Sequence, residues 1–155
     1  MNLEGKKAPP FTLEGNDGQE HSLADYKGKT VVMYFYPKDN TPGCTKEACG
    51  FRDLNAKMKK SDVVVLGVSK DSISSHNGFA EKYKLPFVLL SDPDAAMMKK
   101  YGAFGKKVMY GKEVQGTIRS TVIIGPKGDV LKQWRTVKKA ELHPEEVWEF
   151  LKSNI

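Results

Sequence analysis

Three apolar, β-branched runs at residues 30–36, 63–68 and 87–90 carry no charged side chain, which is the pattern of strands buried on both faces. After the first, Cys44, Ala48, Phe51, Leu54 and Met58 recur at helical spacing. After the second, Ile73, His76, Phe79, Ala80 and Tyr83 do the same. After the third, Asp92 and Pro93 read as the N-cap and first residue of a short helix that Gly102 closes. Strands alternating with helices in this way pair in parallel and bury their sheet between helical layers. Hairpins flank this unit. Phe11-Thr12-Leu13 and Glu20-His21-Ser22-Leu23 surround Asn16-Asp17-Gly18, and residues 117–124 and 129–135 are joined through Pro126-Lys127-Gly128. Pro144 opens a last helix through Val147, Phe150 and Leu151. Residues 104–116, with their glycines and lysines, read as an irregular loop. The prediction is an α/β three-layer sandwich with a mixed sheet.

A chain of 155 residues fits one domain over 1–155 with a single sizeable core. No apolar run is long enough to span a bilayer, and the first residues lack the apolar region of a secretory signal. A cytoplasmic protein with no membrane association is expected. The net charge of +6 raises nucleic acid as a partner. The lysines, however, fall in scattered pairs (Lys59-Lys60, Lys99-Lys100, Lys106-Lys107, Lys138-Lys139) without interleaved aromatics, so a solvated basic surface is the reading taken and no nucleic acid is expected. His21, His76 and His143 show no metal-ligand spacing with one another or with the cysteines, and no metal is expected. Gly125-Pro126-Lys127-Gly128 lacks the Gly-Lys-Ser/Thr of a phosphate loop and is a turn.

The chemistry lies in residues 34–49, which hold both cysteines of the chain. The first strand ends at Pro37, a polar loop follows, and Thr41-Pro42 reads as an N-cap with proline at the first helical position. Cys44 then sits in the first helical turn, where unpaired backbone N–H groups and the helix dipole favour negative charge. Thiols so placed ionise at roughly 3.5–7.5, against about 8.5 for a free cysteine. This is the setting of a reactive thiolate; the plainer reading is a thiol packed as a small hydrophobe. As N-cap, the Thr41 hydroxyl would accept from the Cys44 backbone N–H. Glu47 on the same helix is read as a solvated charge.

The pattern Pro37-x-x-x-Thr41-x-x-Cys44 resembles the active-site loop of the peroxiredoxins, which are cofactor-free thiol peroxidases. Cys49, five positions on, resembles the bacterioferritin comigratory protein or peroxiredoxin Q group. The likeness runs from Gly5-Lys6-Lys7-Ala8-Pro9-Pro10-Phe11 to the C-terminal helix, and Arg119-Ser120-Thr121-Val122-Ile123-Ile124-Gly125-Pro126-Lys127-Gly128 matches a second family motif. Phe104 stands where the family commonly carries tryptophan.

The resemblance implies a thioredoxin-like fold with an N-terminal hairpin extension and a central insertion. It implies a peroxidase that reduces hydrogen peroxide and organic hydroperoxides with no cofactor, in antioxidant defence. Cys44 would be the peroxidatic cysteine and Cys49 the resolving one. Thr41 and Arg119 would orient the peroxide, and Pro37 would shield the pocket. Thioredoxin or a similar dithiol would be the reductant, and the protein a monomer or weak dimer. Read alone, Arg119 is a surface arginine at a strand start, and Cys49 a packed helix thiol. A thiol–disulfide exchange protein and a redox sensor without peroxidase turnover are the competing functions.

Helix geometry constrains the resolving step. Residues five apart on an α-helix are rotated by about 140° and lie roughly 8.7 Å apart at Cα, beyond the ~7 Å limit for a disulfide. A Cys44–Cys49 bond therefore requires the first turns to unwind. Gly50, a weak helix former by about 1 kcal/mol relative to alanine, fits that need.

Overall fold

The computed structural model describes residues 2–154. Its strands are β1 (Thr12–Gly15), β2 (Glu20–Ser22), β3 (Thr30–Phe35), β4 (Val63–Ser69), β5 (Val88–Ser91), β6 (Phe104–Met109), β7 (Lys112–Thr117), β8 (Ser120–Ile124) and β9 (Val130–Trp134). Its helices are α1 (Pro42–Lys60), α2 (Ile73–Tyr83), α3 (Ala96–Lys100) and α4 (His143–Asn154), with a 3-10 turn at Leu23–Tyr26. Seven strands form one mixed sheet in the order β2-β1-β5-β4-β3-β8-β9. β3, β4 and β5 are parallel, and the flanking strands pair antiparallel.

The alternation along β3 builds both halves of the core. Val32, Tyr34 and, just beyond the strand, Tyr36 face α1, α2 and α4, where they meet Cys44, Ala48, Phe51, Phe79, Val147 and Leu151. Val31, Met33 and Phe35 face the other way, onto the N-terminal segment and α3, with Leu3, Phe11, Met97, Met98 and Tyr101. These are the three layers the sequence predicts. α1 begins where expected: Thr41 is extended (φ −94°, ψ 157°) and Pro42 opens the helix. Its buried stripe is Cys44, Glu47, Ala48, Phe51, Leu54 and Met58, and Lys57, Lys59 and Lys60 in the last turn complement the dipole.

Three expectations change. Residues 104–116 form not an irregular loop but the antiparallel pair β6–β7, a separate two-stranded sheet. Tyr110 and Gly111 both have positive φ (52° and 76°), the backbone of a tight hairpin turn whose twist matches its strands. The pattern is hard to read because so little of this hairpin packs on the core: Lys106, Val108, Tyr110, Lys112, Glu113 and Gln115 include mostly exposed side chains. The strand expected at 117–124 is interrupted. Thr117 ends β7 and Ser120 begins β8, so Arg119 lies in the gap, where its carbonyl accepts from the Val137 N–H at 2.8 Å. Finally, α3 starts at Ala96 rather than Pro93. Asp92 still serves its N-terminus, accepting from the Met98 and Met97 N–H groups at 2.9 and 3.4 Å.

Candidate active site

Strand pairing brings the two motifs together. β3 and β8 run antiparallel with Phe35 opposite Ser120, so Arg119, just before β8, arrives level with Tyr36, just after β3. α1 starts from the same edge. The first intrahelical bond there is Thr45 N–H to Thr41 O at 2.8 Å, and the N–H groups of Gly43 and Cys44, which precede it, are the unpaired donors of a helix start. Cys44 is buried and Cys49 half-buried, both as free thiols.

Arg119 reaches over the helix start and makes two bonds with its fork. Nη2 donates to Cys44 Sγ at 3.2 Å, and Nη1 donates to Glu47 Oε1 at 2.7 Å. A planar guanidinium serves two acceptors in fixed geometry, which an ammonium does not. Space for it depends on Gly43: a Cβ there would lie 3.2 Å from Arg119 Nη2. The reading of Arg119 as a surface arginine is thus replaced by a side chain held against the sulfur.

Glu47 is the residue that sequence reasoning misplaces. It is fully buried rather than solvated, and its Oε2 has no hydrogen-bond partner among the described residues, as is true of the neighbouring Tyr34 hydroxyl. Burial pushes its carboxyl from 4.5 up to about 7, with Arg119 pulling in the opposite direction. The available signal was its position. Glu47 is three residues after Cys44 and one before Ala48, inside the apolar stripe of α1, where a charged side chain needs a buried partner.

Thr41 does not cap α1 through its side chain. Its hydroxyl donates to the Lys38 carbonyl at 2.9 Å instead, which turns its oxygen away from the cap and ties the loop across its own turn. Pro37, half-buried, ends β3 and begins that loop. Gly50 has a role that helix propensity alone hides: a Cβ there would lie 2.7 Å from Pro144 Cγ and 3.0 Å from Pro144 Cβ, so it marks a close approach of α1 and α4.

Asp39, Asp71 and His76 are the one group of three metal-type ligands among the described residues whose donor atoms cluster, within 4.8 Å of one another. Asp39 and His76 use those atoms on protein partners: both Asp39 oxygens accept side-chain hydrogen bonds, and both His76 nitrogens are bonded. That saturation does not suit a metal centre. His143 is also buried, with its ring nitrogens on Thr121 Oγ1 (2.8 Å) and Glu146 Oε1 (2.9 Å).

Residues 4–133 match the AhpC/TSA family. Peroxiredoxin Bcp of Bacillus subtilis is 45% identical over 98% of this chain and 97% of its own. The chain belongs to the AhpC/TSA family, as a peroxiredoxin. A solved cysteine-to-serine mutant of Xanthomonas campestris peroxiredoxin Q superposes with a TM-score of 0.88 at 40% identity, covering 94% of this chain and 92% of that one. The bacterioferritin comigratory protein of the same organism, described for its alkyl peroxide reduction activity, gives 0.86 at 40% identity over 92% and 90% of the two chains. This peroxiredoxin therefore has the thioredoxin-like fold of the bacterioferritin comigratory protein and peroxiredoxin Q group, and it is a thiol-dependent peroxidase. Among its described residues no helix is long and apolar enough to cross a membrane.

Proposed function

We propose that this peroxiredoxin reduces hydrogen peroxide and small organic hydroperoxides with Cys44 as the peroxidatic thiol and Cys49 as the resolving one. The observation that carries the reading is the Arg119 fork, with one nitrogen at 3.2 Å from Cys44 Sγ and the other anchored on buried Glu47 at 2.7 Å. The Cys44 thiolate attacks one peroxide oxygen and the O–O bond breaks. The departing oxygen takes up a proton as water or alcohol, leaving Cys44 as a sulfenic acid. Arg119 and the free N–H groups at the start of α1 face the oxygens on which charge develops. Thr41 keeps an oxygen lone pair for the peroxide while donating to Lys38, and Pro37 limits water access.

Cys49 then attacks the sulfenic sulfur, a disulfide forms and water leaves. Because both cysteines lie within unbroken α1, that step requires unwinding. A dithiol protein of the thioredoxin type would return the disulfide to two thiols. The sheet draws strands from across the chain and α4 packs on α1, which supports one domain over 1–155. A cytoplasmic monomer, or a weak dimer, completes the reading.

The test is a coupled assay with hydrogen peroxide, thioredoxin, its reductase and NADPH. Steady turnover that is lost in Cys44→Ser, and lost in Cys49→Ser while one peroxide per protein is still consumed, supports the assignment. Reduction of disulfide substrates without peroxide turnover would make the protein an exchange enzyme, and a single oxidation with no recycling would make it a sensor.

A further inference from the structure

The loop between β3 and α1 is held by a buried polar cluster that the peroxide chemistry does not use. The Asp39 side chain is 2% exposed and that of His76 is 0% exposed. Asp39 Oδ1 accepts from the Tyr36 hydroxyl at 2.5 Å, and Oδ2 accepts from Ser75 Oγ at 2.8 Å and lies 2.7 Å from His76 Nδ1. On the far side of the ring, Nε2 is 2.9 Å from the Leu90 carbonyl. A carbonyl only accepts, so Nε2 carries a hydrogen, and Nδ1 is left to face Asp39 Oδ2. The Asp39 backbone N–H donates to Asp71 Oδ2 at 2.8 Å. Every polar atom of the Asp39 and His76 side chains is thus satisfied within the fold, which is the condition under which a buried polar network makes its surroundings rigid.

This cluster stands five residues before Cys44. The other end of the same segment is fixed as well. Phe51 is in the core, Gly50 abuts Pro144, and Arg52 Nη1 donates to the Tyr83 carbonyl at 2.9 Å. Asp39 is held by the first turn of α2 through Ser75 and His76, and Arg52 by its last residue.

We infer that His76, through Asp39, is a positioning residue that clamps the upstream end of the segment carrying both cysteines, so that α2 acts as a splint and unwinding is confined to residues 40–50. This rests on the proposed roles of Cys44 and Cys49. With the clamp closed, the start of α1 stays under Arg119, in the geometry that meets peroxide. Loosening it moves the two chemical steps in opposite directions: attack slows because the sulfur is misplaced, and disulfide formation quickens because unwinding has less to overcome.

The experiment is rapid-quench mass spectrometry of the reduced protein after peroxide, scoring sulfenic acid, disulfide and sulfinic acid, for wild type, His76→Leu and Asp39→Asn. In His76→Leu the peroxide step should slow by about tenfold to a hundredfold, as ångström-scale misplacement does. Disulfide formation should rise by about threefold or more as local opening becomes easier, with less sulfinic acid. Asp39→Asn should keep both rates within about threefold of wild type, since its amide can donate to a neutral Nδ1 while its carbonyl accepts from Tyr36.

Met98→Ala, in the core on the opposite face of the sheet, serves as the control for general destabilisation and should leave the ratio of the two steps unchanged. If His76→Leu does not fold, Tyr36→Phe removes one bond to Asp39 and should shift both rates the same way by less. Rates that fall together, or that do not move, in folded His76→Leu (or in Tyr36→Phe where His76→Leu does not fold) overturn the inference, as does a loss in Asp39→Asn as large as in His76→Leu. Absence of a Cys44–Cys49 disulfide in wild type would overturn the resolving role instead. The clamp is then judged on the peroxide step alone, and an unslowed step in His76→Leu overturns it.

Discussion

Replacing Glu47 with glutamine should remove a pH-dependent loss of stability. The Glu47 carboxyl is fully buried, has one unpartnered oxygen, and ionises at about 7 in the folded protein against 4.5 for an ordinary glutamate. Between those two pH values the unfolded chain has released this proton and the folded chain has kept it, so stability falls as pH rises. The contribution is fully present below about 4.5 and is lost as the pH passes through about 7; a difference of that size is worth about 3 kcal/mol. Glutamine keeps an acceptor for Arg119 Nη1, offers an amide where Oε2 is unpaired, and carries no charge to desolvate. Urea unfolding of both reduced proteins from pH 5 to 8.5 reads the effect. Glu47→Gln should gain roughly 2–3 kcal/mol on wild type across that range, with little advantage at pH 5. Parallel stability curves would mean that Glu47 is ionised throughout and that the guanidinium outweighs burial.

Arg119→Ala should slow the peroxide step by about a hundredfold to a thousandfold, the usual cost of losing one donor aimed at developing charge; stopped-flow kinetics measure it, and Arg119→Lys should recover only part because it cannot serve Cys44 and Glu47 together. Gly50→Ala should destabilise the protein by roughly 1–2 kcal/mol in urea unfolding, because overpacking against Pro144 exceeds the gain in helix propensity; a more stable variant would show that α4 yields freely. Asp92→Ala should cost about 1 kcal/mol by removing the acceptor of the Met97 and Met98 N–H groups at the start of α3.

The parts of the fold legible in the sequence were those where local pattern and tertiary burial agree. β3, β4 and β5 are apolar because both their faces are covered, and α1 announces itself through Thr41-Pro42 and a regular stripe. The β6–β7 hairpin was illegible for the opposite reason: its side chains have little core to face, and its turn is Tyr110-Gly111 rather than Asn-Gly. The place of Cys44 in the first turn of α1 is legible from Thr41-Pro42. Arg119 was readable only through the family motif, because its approach depends on the β3–β8 register.

Glu47 is read as solvated because its buried partner lies outside its own helix, and His76, placed in the helical stripe of α2, is read without its partner Asp39, which no motif singles out. Arg119, 72 positions from Glu47, and Asp39, 37 positions from His76, are contacts that no local window contains. Gly50 was misread for a similar reason. Helix propensity is a property of its own helix, whereas the space it leaves is filled by Pro144 from another.

The central claim is that Cys44 and Cys49 act in sequence within one chain, and mass spectrometry after a single equivalent of hydrogen peroxide tests it most directly. Wild type should lose two hydrogens, and peptide mapping should find Cys44 joined to Cys49 in monomeric protein. Cys49→Ser should instead hold one added oxygen on Cys44, and Cys44→Ser should remain unmodified and leave the peroxide unconsumed. Oxidation of Cys49 in Cys44→Ser at the wild-type rate, or a wild-type disulfide that links two chains, would contradict the account.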